Sequence, residues 1–221
     1  MHNSLPDTLQ RLIVFEDAYK FYDLFPKRPT RIFWFNLVDP SQGLGAGFAA
    51  KSLDLQHLAI SFMINAEELF QHCHSTWSWS YLQSLALTSQ LLQNDWEKYK
   101  QVEALLCRAS VLVRRMPKLH TLVLWNGGRG HACAFVYRID SDSISVTWRG
   151  TWHLELSPLV VESWQLAASK LHFSELQIKQ EWVGAVIRSH GDAIYHLQLP
   201  CQVIDPASLW QIRREGWSLK Q

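Results

Sequence analysis

The feature that most constrains this chain is a recurring hydrophobic phrase, leucine-x-x-leucine-x-aliphatic. It reads LQRLIV from Leu9, LQHLAI from Leu55, LQSLAL from Leu82 and LHTLVL from Leu119, and FSELQI from Phe173 with Phe in the first place. Leu55 and Leu82 are 27 residues apart, Leu119 and Phe173 are 54 apart, and the 37-residue step from Leu82 to Leu119 carries an insertion. Alternation of period two places one face of a strand in a core. A period of 20–29 residues, each unit a strand and a returning helix, is the signature of a leucine-rich-repeat-like solenoid. The expected fold is therefore α/β: a curved, mostly parallel sheet with helices on one face.

Helix signals sit between the strand phrases. Asn65 followed by Glu67 and Glu68 supplies an N-cap and an acidic first turn. The segment from Asn94 to Met116 opens with acidic residues and closes with Arg114, Arg115 and Pro117. Ser157-Pro158 opens a helix running to about Leu171, with Pro at the first helical position. A last short helix is expected from Pro206 to Arg214, and a strand or helix around Ile194 to Leu199. Two β-rich runs, Ala132–Ile139 and Ser143–Arg149, joined by Asp140-Ser141-Asp142, read as an inserted hairpin. The glycine-rich Asn126–His131 before them reads as a tight turn between strands. With 221 residues, 48% of them hydrophobic, and no low-complexity linker, residues 1–221 are expected to form a single domain.

Composition excludes several classes. A formal charge of +1 makes no electrostatic case for nucleic acid or an anionic membrane. No apolar run is long enough to span a bilayer, and the N-terminus lacks a basic segment followed by an apolar stretch, so no leader is expected. Cys73, Cys107, Cys133 and Cys201 are scattered without a CxxC, which points to reduced thiols and a cytoplasmic location. No cofactor motif is present. The Asn126–His131 loop lacks the GK[ST] ending of a phosphate loop, and neither His72-Cys73-His74 nor His131 with Cys133 has a partner pair at zinc-site spacing. There is no GxSxG elbow.

The residues between the leucines pave the other face of the sheet. They are Arg11, Ile13 and Phe15; His57, Ala59 and Ser61; Ser84, Ala86 and Thr88; Thr121, Val123 and Trp125; and Glu175, Gln177 and Lys179. The middle row, Ile13, Ala59, Ala86 and Val123, is small and apolar. Hydroxyls and a histidine run beside it. That is the composition of an apolar ligand pocket, to which 11 Trp residues would add walls. The expected substrate-binding residues are Phe15, Ala59, Ser61, Ser84, Ala86, Thr88, Thr121, Val123, Trp125 and Trp148. His57 and Arg149, the latter within Trp148-Arg149-Gly150-Thr151-Trp152, are the expected catalytic donors. The competing expectation is that the chain fills this space itself, with the hairpin residues Phe135 and Trp148 or with Arg31–Leu37.

Several longer strings carry a family resemblance: SFMINAEELF from Ser61, LTSQLL from Leu87, MPKLHTLVLWNGG from Met116, GHACAF from Gly130, TWRGTWHLELSP from Thr147 and SLWQIRRE from Ser208. They resemble fungal F-box-like proteins with a C-terminal domain of unknown function, over about Leu9 to Glu215. The resemblance implies no catalytic residues. Longer relatives begin with an F-box, which docks a ubiquitin ligase. Here Met1 is followed almost at once by LQRLIV, so the expectation is a standalone domain. For a standalone fungal domain the expectation is a cofactor-independent cyclase or isomerase, of the Diels–Alder pericyclase type, acting on an apolar secondary metabolite. The alternative is a target-recognition domain that binds protein, with the ubiquitin-ligase core as partner. The oligomeric state is left open.

Overall fold

The computed structural model describes residues 6, 8–16, 40–171, 173 and 175–218. Arg31–Leu37 lies outside the described residues. Each strand hydrogen-bonds to the one before it in the chain, giving a seven-stranded open sheet in the order β1 to β7. The strands are β1 (Arg11–Phe15), β2 (His57–Ser61), β3 (Ser84–Thr88), β4 (Thr121–Gly128), β5 (His131–Ile139), β6 (Ile144–Gly150) and β7 (Leu176–Trp182). β1 to β4 are parallel, β4–β5–β6 is an antiparallel meander, and β7 is parallel to β6. The hairpin expected from the sequence is β5–β6, paired through Phe135 and Trp148. The turn before it is tighter than the glycine-rich string suggests. Asn126, Gly127 and Gly128 belong to β4, and Gly130 makes the reversal in the left-handed region, at φ 86°.

The repeated phrases meet in register. Leu12, Leu58, Leu85 and Leu122 lie side by side, as do Val14, Ile60, Leu87 and Leu124. Continuing the second row across the hairpin reaches Phe135 and Trp148. This face packs on helices α2 (Ala66–Gln71), α3 (Tyr99–Val113) and α4 (Pro158–Lys170), which supply Leu69, Phe70, Leu105, Leu106, Val160 and Trp164 to one core. Helix α1 (Pro40–Lys51) packs beside α2. The helix starts follow their sequence signals with small shifts. Ser157 Oγ accepts from Val160 N, as a capping Ser should. Asp95 rather than Asn94 caps the entry to α3, through a 3₁₀ turn at Trp96–Lys98. Asn65 precedes α2, but its amide carbonyl accepts from Gln90 N instead.

The sheet is covered on both faces, not one, which corrects the expectation from the repeat. After β7 the chain crosses to the opposite face. There α5 (His190–Leu197) packs on β4 and β5, and α6 (Pro206–Ser218) packs on α5. A second core forms from Ala59, Ala86, Val123, Trp125, Ala132 and Ala134 of the sheet with Val183, Ile187, Ala193, Ile194, Leu197 and Val203. The hairpin does not fold over this face. It extends the sheet, and its Phe135 and Trp148 point to the other core. Arg31–Leu37 being undescribed, the cover that the structure assigns is residues 183–204.

Small residues permit this second layer. A Cβ added at Gly127 would overlap the Cβ of Ala193, so strand and helix meet with nothing between them. On the far side of α5, a Cβ at Gly191 would fall 2.8 Å from Arg213 N. The helix start is secured by a reciprocal cap: Ser189 Oγ accepts from Asp192 N, and Asp192 Oδ2 accepts from Arg188 N. Gly127→Ala is expected to lower stability by about 1–3 kcal/mol through overpacking. The double variant Gly127→Ala/Ala193→Gly should recover part of that loss, as read by urea unfolding. Equal stability of Gly127→Ala and the parent chain would show that α5 is not seated as described.

Candidate functional site

Three rows of side chains cross the second face, and the structure gives each a different environment. The first row, Arg11–His57–Ser84–Thr121, lies at the N-terminal ends of the four parallel strands. The middle row, Ile13–Ala59–Ala86–Val123, runs beneath the cover. The third, Phe15–Ser61–Thr88–Trp125, continues through Ala134 to Arg149 and Glu181.

The first row borders an open pocket. Arg11, Ile13, His57, Leu58, Ala59, Ser84, His120 and Thr121, with Pro200, Cys201 and Gln202 of the cover, enclose about 190 Å³. His57 Nδ1 and Ser84 Oγ are 2.9 Å apart, and His120 Nδ1 and Thr121 Oγ1 are 3.0 Å apart. Burial lowers the pKa of His57 from its ordinary value, and the charges of Arg11 and His120 lower it further. The imidazole is therefore neutral near pH 7. One ring nitrogen is shared with Ser84. When Nδ1 carries the proton, Nε2 keeps a free lone pair, the form of a general base. Cys201 is a poor nucleophile here, because burial pushes its thiol up to about 12.

The middle row is sealed at its β3 and β4 end. Ala86 and Val123 are buried under the cover, so they line no pocket for a substrate. The third row ends in an aromatic cluster. Phe62 packs edge-on against Phe15 and Trp125, with centroids 5.6 and 5.1 Å away, and stacks on His190 at 4.3 Å. Phe62 adopts φ 64°, a left-handed conformation that costs a bulky residue about 1–2 kcal/mol. Its N–H donates to Thr88 Oγ1 at 2.7 Å. Ser61 Oγ and Trp125 Nε1 are buried with no hydrogen-bond partner among the described residues. Beside this cluster Ser89 donates to Glu67, whose carboxyl burial pushes up.

Two expected site residues are placed elsewhere. Trp148 lies in the opposite core, its indole N–H donating to Trp152 O at 3.0 Å, so it cannot share a pocket with His57. Arg149 is on the right face but is already engaged. It pairs with Glu181, and its Nη1 donates to Leu197 O at 2.6 Å, at the C-terminus of α5. A cation there also meets the negative end of the helix dipole. Arg149 therefore clamps the cover onto the sheet. The structure brings together His57, Ala59, Ser84 and Thr121 in one pocket, and Phe15, Ser61, Thr88 and Trp125 in another cluster. The pocket residues of the cover, Pro200, Cys201 and Gln202, carry no periodic signal. His120 could have been found as the residue just before β4 at the same sheet edge.

The family model for DUF6546, a family of unknown function, matches residues 4–205. The chain belongs to DUF6546. The match thus includes both the repeats and the covering segment of the DUF6546 fold described above. No curated protein and no solved structure matches this DUF6546 chain. Among the described residues no group of three or more His, Cys, Asp or Glu is placed to hold a metal ion. No helix among them is long and apolar enough to cross a membrane.

Two outcomes follow from this geometry. In the folded chain the His57 ring should titrate below 6.5, and Arg11→Gln should move its midpoint up, as followed by NMR of the ring protons. The unfolded chain takes up this proton first on acidification. His57 therefore contributes stability above its ordinary value, and this is lost as pH falls from 6.5 through the folded value. Separately, Arg149→Gln is expected to cost about 1–3 kcal/mol by leaving Leu197 O and Glu181 without their partner. Hydrogen exchange should then speed up in α5 more than in α3, and equal effects on both helices would refute the clamp.

Proposed function

We propose that this chain is a cofactor-independent isomerase or cyclase of small organic molecules, with its site in the His57 pocket. The observation that carries this reading is His57 hydrogen-bonded to Ser84 within a concave pocket. His57 Nε2 takes a proton from a carbon next to a carbonyl, and the electron pair moves to the carbonyl oxygen. The proton returns at a different carbon, giving an isomer, or the carbanion adds to a second carbonyl carbon of the same molecule, whose C=O π pair moves to oxygen and takes the proton back from His57, closing the ring. Thr121 is the donor beside the pocket for the developing oxyanion, and the positive charge of Arg11 lowers its energy further. No oxidant or reductant enters. This departs from the broad apolar pocket expected from the sequence, because the space above Ala86 and Val123 is taken by the cover. The leucine-rich-repeat-like solenoid belongs to the same reading: in-register leucine phrases on β1 to β4 support it, and the antiparallel hairpin interrupts it.

A second reading is a protein-binding domain, the target-recognition half of an F-box-like adaptor of the ubiquitin-ligase system. Trp182, Val186 and Trp210 favour it, each about 70% exposed where a soluble surface usually keeps large apolar groups partly covered. Recovery of ligase core subunits with the full chain would support this adaptor reading.

The catalytic reading is tested by incubating the chain in deuterated water with a panel of small enolisable ketones and keto acids. Mass spectrometry should detect deuterium taken up by at least one compound. His57→Gln should slow that uptake by about 100-fold or more. Uptake no faster than in buffer, or unchanged by His57→Gln, defeats the proposal.

A further inference from the structure

The His57 pocket holds the charge of Arg11 without a balancing carboxylate. Its lining contains one arginine and two histidines and no Asp or Glu. Three other guanidinium groups pair with carboxylates, Arg149 with Glu181, Arg138 with Asp140 and Arg213 with Asp192, while Arg108 and Arg115 donate to the backbone carbonyls of Phe70 and His74. Arg11 has no ion-pair partner among the described residues. In a chain whose formal charge is only +1, this is a local arrangement rather than a reflection of overall charge. A concave pocket of one sign concentrates counter-ions of the other.

The remaining lining restricts the anion further. Ile13 and Ala59 make an apolar floor, and Pro200 of the cover adds an apolar wall. An inorganic anion satisfies Arg11 but leaves this floor uncovered. A fully apolar ligand covers the floor but desolvates Arg11 with nothing in exchange. A small organic carboxylate does both. The guanidinium fork matches a carboxylate in two parallel hydrogen bonds. A volume of about 190 Å³ suits a ring or a short branched chain, below the range of drug-sized ligands.

We infer that the pocket takes a small organic carboxylate, held by Arg11 and His120, with its hydrocarbon part on Ile13 and Ala59 beside Pro200. This rests on the small-molecule reading of the same pocket and names its substrate class. Ser84 and His57 lie beside the position of the hydrocarbon part, so the carboxylate anchors the molecule while its carbon skeleton faces the base.

The test uses the full chain and three probes: benzoate, benzamide and inorganic phosphate. Binding is followed by calorimetry and by shifts of the His57 and His120 ring protons at constant pH. Benzoate should bind saturably and move both rings. Benzamide, which has the same shape without the charge, and phosphate, which has charge without a hydrocarbon part, should each bind at least tenfold more weakly. Arg11→Gln should weaken benzoate by tenfold or more, and Arg11→Lys by less. Benzamide or phosphate binding as tightly as benzoate overturns the inference, and needs no variant to establish. So does benzoate binding that is unchanged in a folded Arg11→Gln chain, or that moves neither ring. Benzoate binding without any deuterium uptake leaves the carboxylate site standing and removes proton transfer. Deuterium uptake by uncharged ketones without benzoate binding does the reverse.

Discussion

The contact between Gly127 of β4 and Ala193 of α5 is the approach on which the second half of the structure depends. A helix can lie this close to a sheet only where neither backbone carries a bulky side chain. With the helix seated there, Ile194 and Leu197 join the alanines of β2, β3 and β5 to complete a core. Arg149 then reaches the helix C-terminus, and the loop after it brings Pro200, Cys201 and Gln202 to the edge of His57. Pocket, clamp and core are thus consequences of one short interval between two chains of atoms. The strand face itself specifies none of them alone.

The two faces of the sheet were legible to different degrees. Leucines at period two, repeated over 27 residues, state which side chains go to one core, and the register places them side by side. The intervening residues of β1 to β4 were equally readable as a set, because alternation leaves them no other side. Their environment was not. A row such as Ala59, Ala86 and Val123 is compatible with a ligand, a partner or the chain's own helix, since all three present apolar atoms. What decides is a segment after Val183 whose short helix has few apolar positions and a glycine near its start.

The same limit applies to individual residues. His57 and Ser84 are neighbours because adjacent strands are in register, so their pairing followed from the repeat. Trp148 and Arg149 are one residue apart, and a strand sends such neighbours to opposite faces. Reading them as a single aromatic–cation cluster overlooked that alternation. Arg149 then took its role from the carbonyls of Leu197 and Gln198, nearly fifty residues further on, which no local spacing reveals. His120 lies just outside β4, beyond the reach of a rule that counts positions within strands.

The order of the sheet carries a consequence for how the chain emerges during synthesis. Every strand pairs with its predecessor, so the leucine face and its helices are assembled progressively as the ribosome delivers them. The opposite face has to wait. Among the described residues, the cover over Ala59, Ala86, Val123 and Trp125 is complete only once residues 183–204 have left the exit tunnel. During that interval the nascent chain presents a flat apolar strip beside a free strand edge, the surface that chaperones hold and that neighbouring chains join. The hydroxyls of Ser84, Thr88 and Thr121 within that strip keep it partly wettable while it is uncovered.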